Sequence, residues 1–280
     1  MSGTELIAIT GATGHIGRIV TDRLTSSGAR TRLVVREPNR APTGSTDVRQ
    51  ATYGDRDAAV RALQGADVLF MVSAAESAVR LDQHRTFVDA AATAGVRHVV
   101  YTSFLGAAPD ATFTLARDHW ATEEHLRASG MRWTFLRDSF YLDFLPTLAG
   151  DDGVIRGPAG GGRVGAVARS DVARSAAAVL AEPDVHAGRI YDLTGPEALS
   201  LAEVARTITE ITGRATTYQV ETIEEAYASR EPYGVPDWQL DAWVSTYTTI
   251  ADGGLALVTD AVEHLTGTPP LTLTDLLKQS

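Results

Sequence analysis

Cysteine is absent from all 280 residues. That single lack excludes disulfides, thiolate nucleophiles and thiolate metal sites together. Lysine is almost absent as well: the only one is Lys278. Every mechanism that needs a catalytic lysine in the body of the protein is therefore excluded. No apolar run approaches the ~20 residues of a membrane span. No basic-plus-apolar leader precedes Leu6, so the expected compartment is the cytoplasm. Positive charge is in deficit, with a formal net charge of −10, which argues against nucleic acid or an anionic membrane as partner. His84, His98, His125, His186 and His264 show no metal-ligand spacing. Neither a metal nor a membrane enters the expected function.

What the chain does carry begins at once. Leu6 to Ile9 is a β-branched, apolar run of the kind that forms a buried parallel strand. Gly11, Gly14 and Gly17 follow at three-residue spacing, and Ile16, Ile19, Val20 and Leu24 then fall on one helical face. In a strand–turn–helix of this kind the first glycine permits the sharp turn. The second lets backbone approach a pyrophosphate, and the third lets helix and strand pack closely. The helix start offers its free N–H groups to phosphate. The segment Gly11, Ala12, Thr13, Gly14, His15, Ile16 and Gly17 is thus the candidate dinucleotide loop. His15 would cover phosphates or ribose there.

Strand and helix then alternate, the pattern of a doubly wound α/β parallel sheet. Thr31–Val35 is the second strand, with Arg36 at its carboxyl end, where an arginine accommodates a ribose 2′-phosphate. This favours NADPH, with NADH as the lesser possibility. Val48–Ala51, Val68–Val72, Val96–Ser103 and Arg132–Arg137 are further strands, and helices are expected over Asp57–Leu63, Leu81–Ala94 and Asp118–Ser129. Asp55 either touches the adenine or caps the helix after it. Small residues Ser73, Ala74, Ala75 and Glu76 follow the fourth strand, and Tyr101, Thr102 and Ser103 end the fifth at the same sheet edge. Glu123-Glu124 and Asp151-Asp152 read as solvated pairs. Residues 150–165 form a glycine-rich excursion, with Gly160-Gly161-Gly162 a flexible turn. Ser200 to Glu203 is a capping box that opens a helix ending at Gly213. The remainder from Tyr218 reads as mostly helical, broken at Pro232, Pro236 and Gly253-Gly254. The expected division is a Rossmann core over 1–138, continued by 166–190, and a smaller, mostly helical substrate-binding cap over 139–165 and 191–280. Tyr141, Phe144, Tyr233 and Trp238 are aromatic candidates for a substrate surface, or else core.

Together the glycine-rich start, Val34-Val35-Arg36, Gln83-His84-Arg85, Tyr101-Thr102-Ser103, Asp118-His119, Thr134 to Arg137, Val167 to Asp171 and Gly234-Val235-Pro236 resemble the NmrA-like atypical short-chain dehydrogenases. The likeness runs nearly end to end and is strongest to the branch of flavin-free quinone and triphenylmethane-dye reductases. The resemblance implies NADPH held by Gly11–Gly17 and Arg36, with the nicotinamide near Ser73–Glu76 and Tyr101–Ser103. It also implies direct hydride transfer, without flavin, to an aromatic or quinone-like small molecule. His119 falls where related reductases place a lysine and quinone-reducing relatives a histidine, and is the candidate catalytic acid. Two departures follow from the residues. The Tyr-x-x-x-Lys pair of ordinary short-chain dehydrogenases has no lysine to form it, which disfavours tyrosine as general acid. Asp138 replaces the asparagine usual in the branch, and an ionised carboxylate accepts but cannot donate. The competing expectation is a non-catalytic NADP(H) redox sensor of the NmrA type. A homodimer is left open.

Overall fold

The computed structural model describes residues 5–279. In chain order its first elements are β1 (Leu6–Thr10), α1 (His15–Ser26), β2 (Arg30–Val35), β3 (Val48–Gln50), α2 (Arg56–Leu63), β4 (Val68–Met71), α3 (Arg80–Ala94), β5 (His98–Phe104), α4 (Thr114–Ala128) and β6 (Arg132–Asp138). There follow β7 (Val154–Gly157), β8 (Arg163–Val164), α5 (Arg169–Ala181), β9 (Arg189–Leu193), β10 (Leu199–Ser200), α6 (Leu201–Thr212) and β11 (Thr217–Val220). The chain ends in α7 (Ile223–Arg230), α8 (Asp237–Ala251), α9 (Ala261–Thr266) and α10 (Leu273–Gln279).

One sheet of seven strands runs in the order β3-β2-β1-β4-β5-β6-β9. The pairings β3–β2, β2–β1, β1–β4 and β4–β5 are parallel. Strand order reverses beside β1, the topological switch at which open α/β sheets bind ligands. All five residues of β1 are buried, as expected of a parallel strand covered on both faces. Residues cluster into two compact units. The first runs to Ser103 and adds Asp118–Arg137 and Val172–Tyr191; the second comprises Phe104–Arg117, Asp138–Asp171 and Asp192–Ser280. Phe104–Arg117 thus groups with the second unit, although its position between a core strand and a core helix suggests otherwise.

The first unit's core joins Leu69 and Tyr101 of the sheet to Leu63 of α2, Phe87 of α3 and Leu126 of α4. The second unit has its own core, from Leu142 and Ile155 through Leu201 and Ile208 to Tyr247 and Leu273. Its α6 begins on the expected capping box: Ser200 Oγ accepts from the Glu203 N–H at 3.3 Å, and Glu203 accepts from the Ser200 N–H at 2.8 Å. Two features of this unit differ from the sequence expectation. Thr217–Val220 is a strand, pairing parallel with Val154–Gly157 inside the expected glycine-rich excursion. Two glycines there are packing residues, because a Cβ on Gly157 would strike the Tyr247 ring and one on Gly162 the Ile250 carbonyl, whereas Gly160 and Gly161 face open space. Close approach of backbone to α8, rather than looseness, explains the packed pair. Among the described residues no helix is long and apolar enough to cross a membrane.

Candidate active site

The glycine turn after β1 is built as the spacing requires. Gly11 has φ +65°, a left-handed conformation that L side chains resist. A Cβ on Gly17 would fall on the Gly11 carbonyl, so helix and turn can meet only with glycine there. Gly14 N-caps α1 without any side-chain cap. The first N–H groups of a 12-residue helix are therefore left for an external acceptor. Ala12 and Ile16 are buried beneath the turn and Gly14 and His15 are exposed on it.

Beside this turn lies a cavity of about 520 Å³, within the size range of small-molecule sites. Gly11, Thr13, Arg36, Ser73, Ala74, Ala75 and Glu76 line it as expected. Thr10, Val34, Val35, Ala51, Thr52, Tyr53, Val72, Ser77 and Gln83 complete the lining. Glu37 pairs with Arg40 at 3.5 Å, and among the described residues no carboxylate pairs with Arg36. Asp55 is the cap of α2, accepting from the Ala58 N–H at 3.0 Å, and it does not line the cavity.

The cavity wall after β4 is held in an unusual way. Strand pairing lapses beyond Met71, and side chains from β1, β5, α3 and the loop before α2 take over the backbone polar groups. The Val72 N–H donates to Thr10 Oγ1 at 2.9 Å, and its carbonyl accepts from the Tyr53 hydroxyl. The Ser73 N–H donates to Thr102 Oγ1 at 2.8 Å. The Ala74 N–H donates to His84 Nε2 at 2.8 Å, and its carbonyl accepts from Arg80 Nε at 3.0 Å. A half-buried wall without a ladder would otherwise leave these groups poorly satisfied, at up to ~1–3 kcal/mol each where water is excluded. Tyr53 also stacks on Phe87 with centroids 4.3 Å apart, and burial pushes its phenol well up.

Tyr101, Thr102 and Ser103 do not line this cavity. All three are buried, because helices cover both faces of the sheet at β5. Thr102 supports Ser73 from behind, whereas Ser103 donates to Glu123 Oε1 at 2.6 Å. Glu123 is itself fully buried and takes Arg137 on both oxygens, at 2.8 and 2.7 Å, with Arg127 at 3.2 Å. The expectation of a solvated Glu123-Glu124 pair fails at Glu123: Arg137, on the following strand, supplies the counter-charge and draws the carboxylate inward. Glu124 remains outside, half-exposed beside Arg127. Asp152 is also on the surface, held low chiefly by its hydrogen bond to Arg156.

His119 departs from the expected proton donor. It is 6% exposed, and both ring nitrogens are engaged: Nε2 with Arg80 Nη2 at 2.8 Å and Nδ1 with the Tyr101 hydroxyl at 3.0 Å. Burial, then the Arg80 guanidinium, holds its pKa well below the usual imidazole range. A neutral ring so placed has no acidic proton to give near neutral pH.

The remaining expected residues lie in the second unit. Asp138, the last residue of β6, is 1% exposed. Burial raises its pKa well above the ordinary carboxyl value, against a lowering hydrogen bond from Tyr141. The Tyr141 hydroxyl donates to Asp138 Oδ2 at 3.0 Å, and Oδ1 is buried without a partner. Burial thus favours the protonated carboxyl, and with Oδ2 accepting from Tyr141 its proton falls to Oδ1. Tyr141 and Phe144 meet edge to face at 5.7 Å, with Arg169 over the Phe144 ring. Tyr233, 71% exposed, meets Trp243 rather than either of them, and Trp238 sits half-buried in the first turn of α8.

Comparison with known proteins agrees with this geometry. A family model described as NAD(P)H-binding matches residues 11–183. Quinone oxidoreductase 2 of Escherichia coli is 35% identical over 278 residues, covering 96% of each chain. An NAD(P)H azoreductase of Xenophilus azovorans is 31% identical, covering 98% of this chain and 97% of that one. The E. coli quinone oxidoreductase complexed with NADPH superposes with a TM-score of 0.89 over 98% of this chain and 99% of that one, at 34% identity. Citrobacter sp. triphenylmethane reductase complexed with NADP(H) gives a TM-score of 0.87 at 29% identity, covering 98% and 99%.

Proposed function

The chain belongs to the NAD(P)H-binding family, and from that premise we propose that it binds NADPH in the Gly11–Glu76 cavity and reduces a quinone-like or conjugated dye-like acceptor directly, without flavin. The observation that carries the reading is the juxtaposition of an uncapped helix start, the glycine turn and an unpaired arginine around one cavity. The donor set fits a phosphorylated dinucleotide: N–H groups of α1 for the pyrophosphate, Arg36 for the 2′-phosphate, and the small wall Ser73–Ala75 for a ribose or flat ring. Once bound, the reduced nicotinamide supplies the hydride. The chain's task is then to orient and exclude water, because quinones and cationic dyes are already electrophilic. Similarity to reductases named for quinones, azo compounds and triphenylmethane dyes supports acceptors of this class. Burial favours the protonated form of Asp138, which can both donate and accept, as an asparagine would. Tyr141 and Phe144 offer the stacking surface for the acceptor.

The test is oxidation of NADPH and NADH by flavin-free protein across a panel of quinones and triarylmethane dyes, with cofactor binding followed by fluorescence. Arg36→Ala is expected to weaken NADPH by roughly 10- to 100-fold, the equivalent of a lost charged hydrogen bond, and to leave NADH nearly unchanged. Failure to bind either cofactor would overturn the proposal. Tight binding with no turnover on any acceptor would point to a redox sensor instead.

A further inference from the structure

Behind the cavity wall the polar groups close into a ring. The Ala74 N–H enters His84 Nε2, and the Ala74 carbonyl receives Arg80 Nε. Between them stand the Tyr101 hydroxyl and the His119 imidazole. Donor and acceptor roles are fixed all the way round, because an arginine can only donate. Arg80 Nη2 donates to His119 Nε2 at 2.8 Å, so the His119 proton is on Nδ1, where it donates to the Tyr101 oxygen at 3.0 Å. The Ala74 N–H likewise occupies His84 Nε2, so the His84 proton is on Nδ1, shared between Thr122 Oγ1 at 2.9 Å and the Tyr101 oxygen at 3.4 Å. Thr122 in turn donates its hydroxyl proton to the Asp118 carbonyl at 2.7 Å.

The construction is costly. His84 and Tyr101 have no exposure, and Arg80 is 4% exposed, paired with the Asp118 carboxylate 3.4 Å away and acting also on Glu76. Other groups felt at these rings are the Tyr53 phenol at the edge of His84, Arg137 acting on His119, and Glu123 and Asp118 acting on Tyr101. A buried arginine beside two imidazoles is a poor way to stabilise a core. It is a good way to fix the two peptide planes that flank the Ala74 Cα, since the N–H of one and the carbonyl of the other are gripped by side chains whose donor and acceptor roles are set.

We propose that Arg80, His84, Tyr101 and His119 are positioning residues that lock the Ala74 peptide and so hold the wall Ser73–Glu76 in the shape that receives the dinucleotide. His119 in this arrangement holds Arg80 and Tyr101 apart at a set distance and transfers no proton. The inference rests on the NADPH reading of the cavity for its ligand, though the lock itself exists without one.

The deciding comparison uses three variants of the full chain. His84→Leu removes the acceptor for the Ala74 N–H and is expected to raise the NADPH dissociation constant by about tenfold or more. His84→Gln keeps an acceptor near Nε2 and should return the constant to within about threefold of wild type. His98→Leu disrupts a different buried histidine, bonded to Thr134 at 2.9 Å and remote from Ala74 in the hydrogen-bond network. It should lower the melting temperature by a similar amount with cofactor affinity unchanged, separating positioning from mere stability. Amide exchange adds a readout free of ligand: the Ala74 N–H should be protected in the wild type and lose protection in His84→Leu. Long-range ¹H–¹⁵N spectra should show His84 and His119 as Nδ1–H tautomers. Unchanged NADPH affinity and unchanged Ala74 exchange in His84→Leu would overturn the lock, as would a His119 ring titrating near 6.5. If the wild type bound no NADPH, the functional reading would fall, and the exchange data alone would decide the lock.

Discussion

Glu123→Ala is expected to lower the stability of the protein by about 3–5 kcal/mol, the usual cost of stripping one partner from a buried ion pair. Glu123 has no exposed surface, and its two oxygens satisfy Arg137 twice, Arg127 and the Ser103 hydroxyl. Removing it leaves two guanidinium groups beside a cavity in the α4–β6 contact. Arg137 is 19% and Arg127 30% exposed, so water reaches both in part and the lower end of that range is the better expectation. Arg127 also lies over Trp133 and Phe135 at 5.0 and 4.9 Å, which anchors its charge in place rather than letting it swing out. For a chain of this size the melting temperature should fall by roughly 6–20 °C. Urea titration supplies the free energy. Glu123→Gln keeps the hydrogen-bonding shape and should lose less. A Glu123→Ala protein within about 1 kcal/mol of wild type would show that the arginines, not the carboxylate, organise this cluster.

The second large effect is in acid. Burial, then a nearby arginine, lowers His84 to about 3 and His98 to about 4, and His119 falls well below its ordinary value. In the unfolded chain these imidazoles take up protons near pH 6.5. Between that pH and their folded values the unfolded state binds more protons, so stability falls as pH falls. Each histidine contributes a slope of about 1.4 kcal/mol per pH unit. Asp138 and Glu76, both raised chiefly by burial, act in the opposite sense wherever the folded carboxyl keeps a proton that the unfolded one has lost. The three rings together set an upper bound of about 4 kcal/mol per pH unit on that decline, which the raised carboxyls of Asp138 and Glu76 reduce. The window closes near pH 4, where His98 begins to charge in the folded state. Melting curves at pH 6.5, 5.5 and 4.5 should therefore show a decline as pH falls. His98→Gln should flatten that decline by about one proton's worth. A melting temperature constant from pH 7 to 5 would refute the assignment of these rings as neutral.

The parts of the fold that could be read from the sequence were those fixed by local chemistry. The apolar runs of β1, β4 and β5, the glycines at 11, 14 and 17, and the Ser200–Glu203 box each contain their own instruction within a few residues. The cavity was legible on the same terms, through the glycine turn, Arg36 and the small residues after β4. What escaped depends on partners distant in the chain. Glu123 on a polar helix face looks solvated until Arg137 arrives from β6, 14 residues later. Tyr101 and Ser103 end a strand at the right sheet edge, yet they turn to the covering helices instead of the cavity. Thr10 and Tyr53 carry no motif at all, and only the loss of strand pairing after Met71 gives them work. The strand β11 is short and mostly exposed, so neither alternation nor an apolar run announces it.

The wall at Val72–Ala74 has a consequence for how the molecule comes to be made. Its donors find their acceptors 62 residues back at Thr10, 29 ahead at Thr102 and 10 ahead at His84. Such contacts close long loops, and they form only after the segments between them have found their places. A nascent chain that has emerged as far as β4 thus has its glycine turn but not a finished binding surface. Competence to take up a nucleotide arrives only once β5 and α3 have docked. The ligand should then act as a late clamp on the finished unit, deepening the native minimum in proportion to its own concentration.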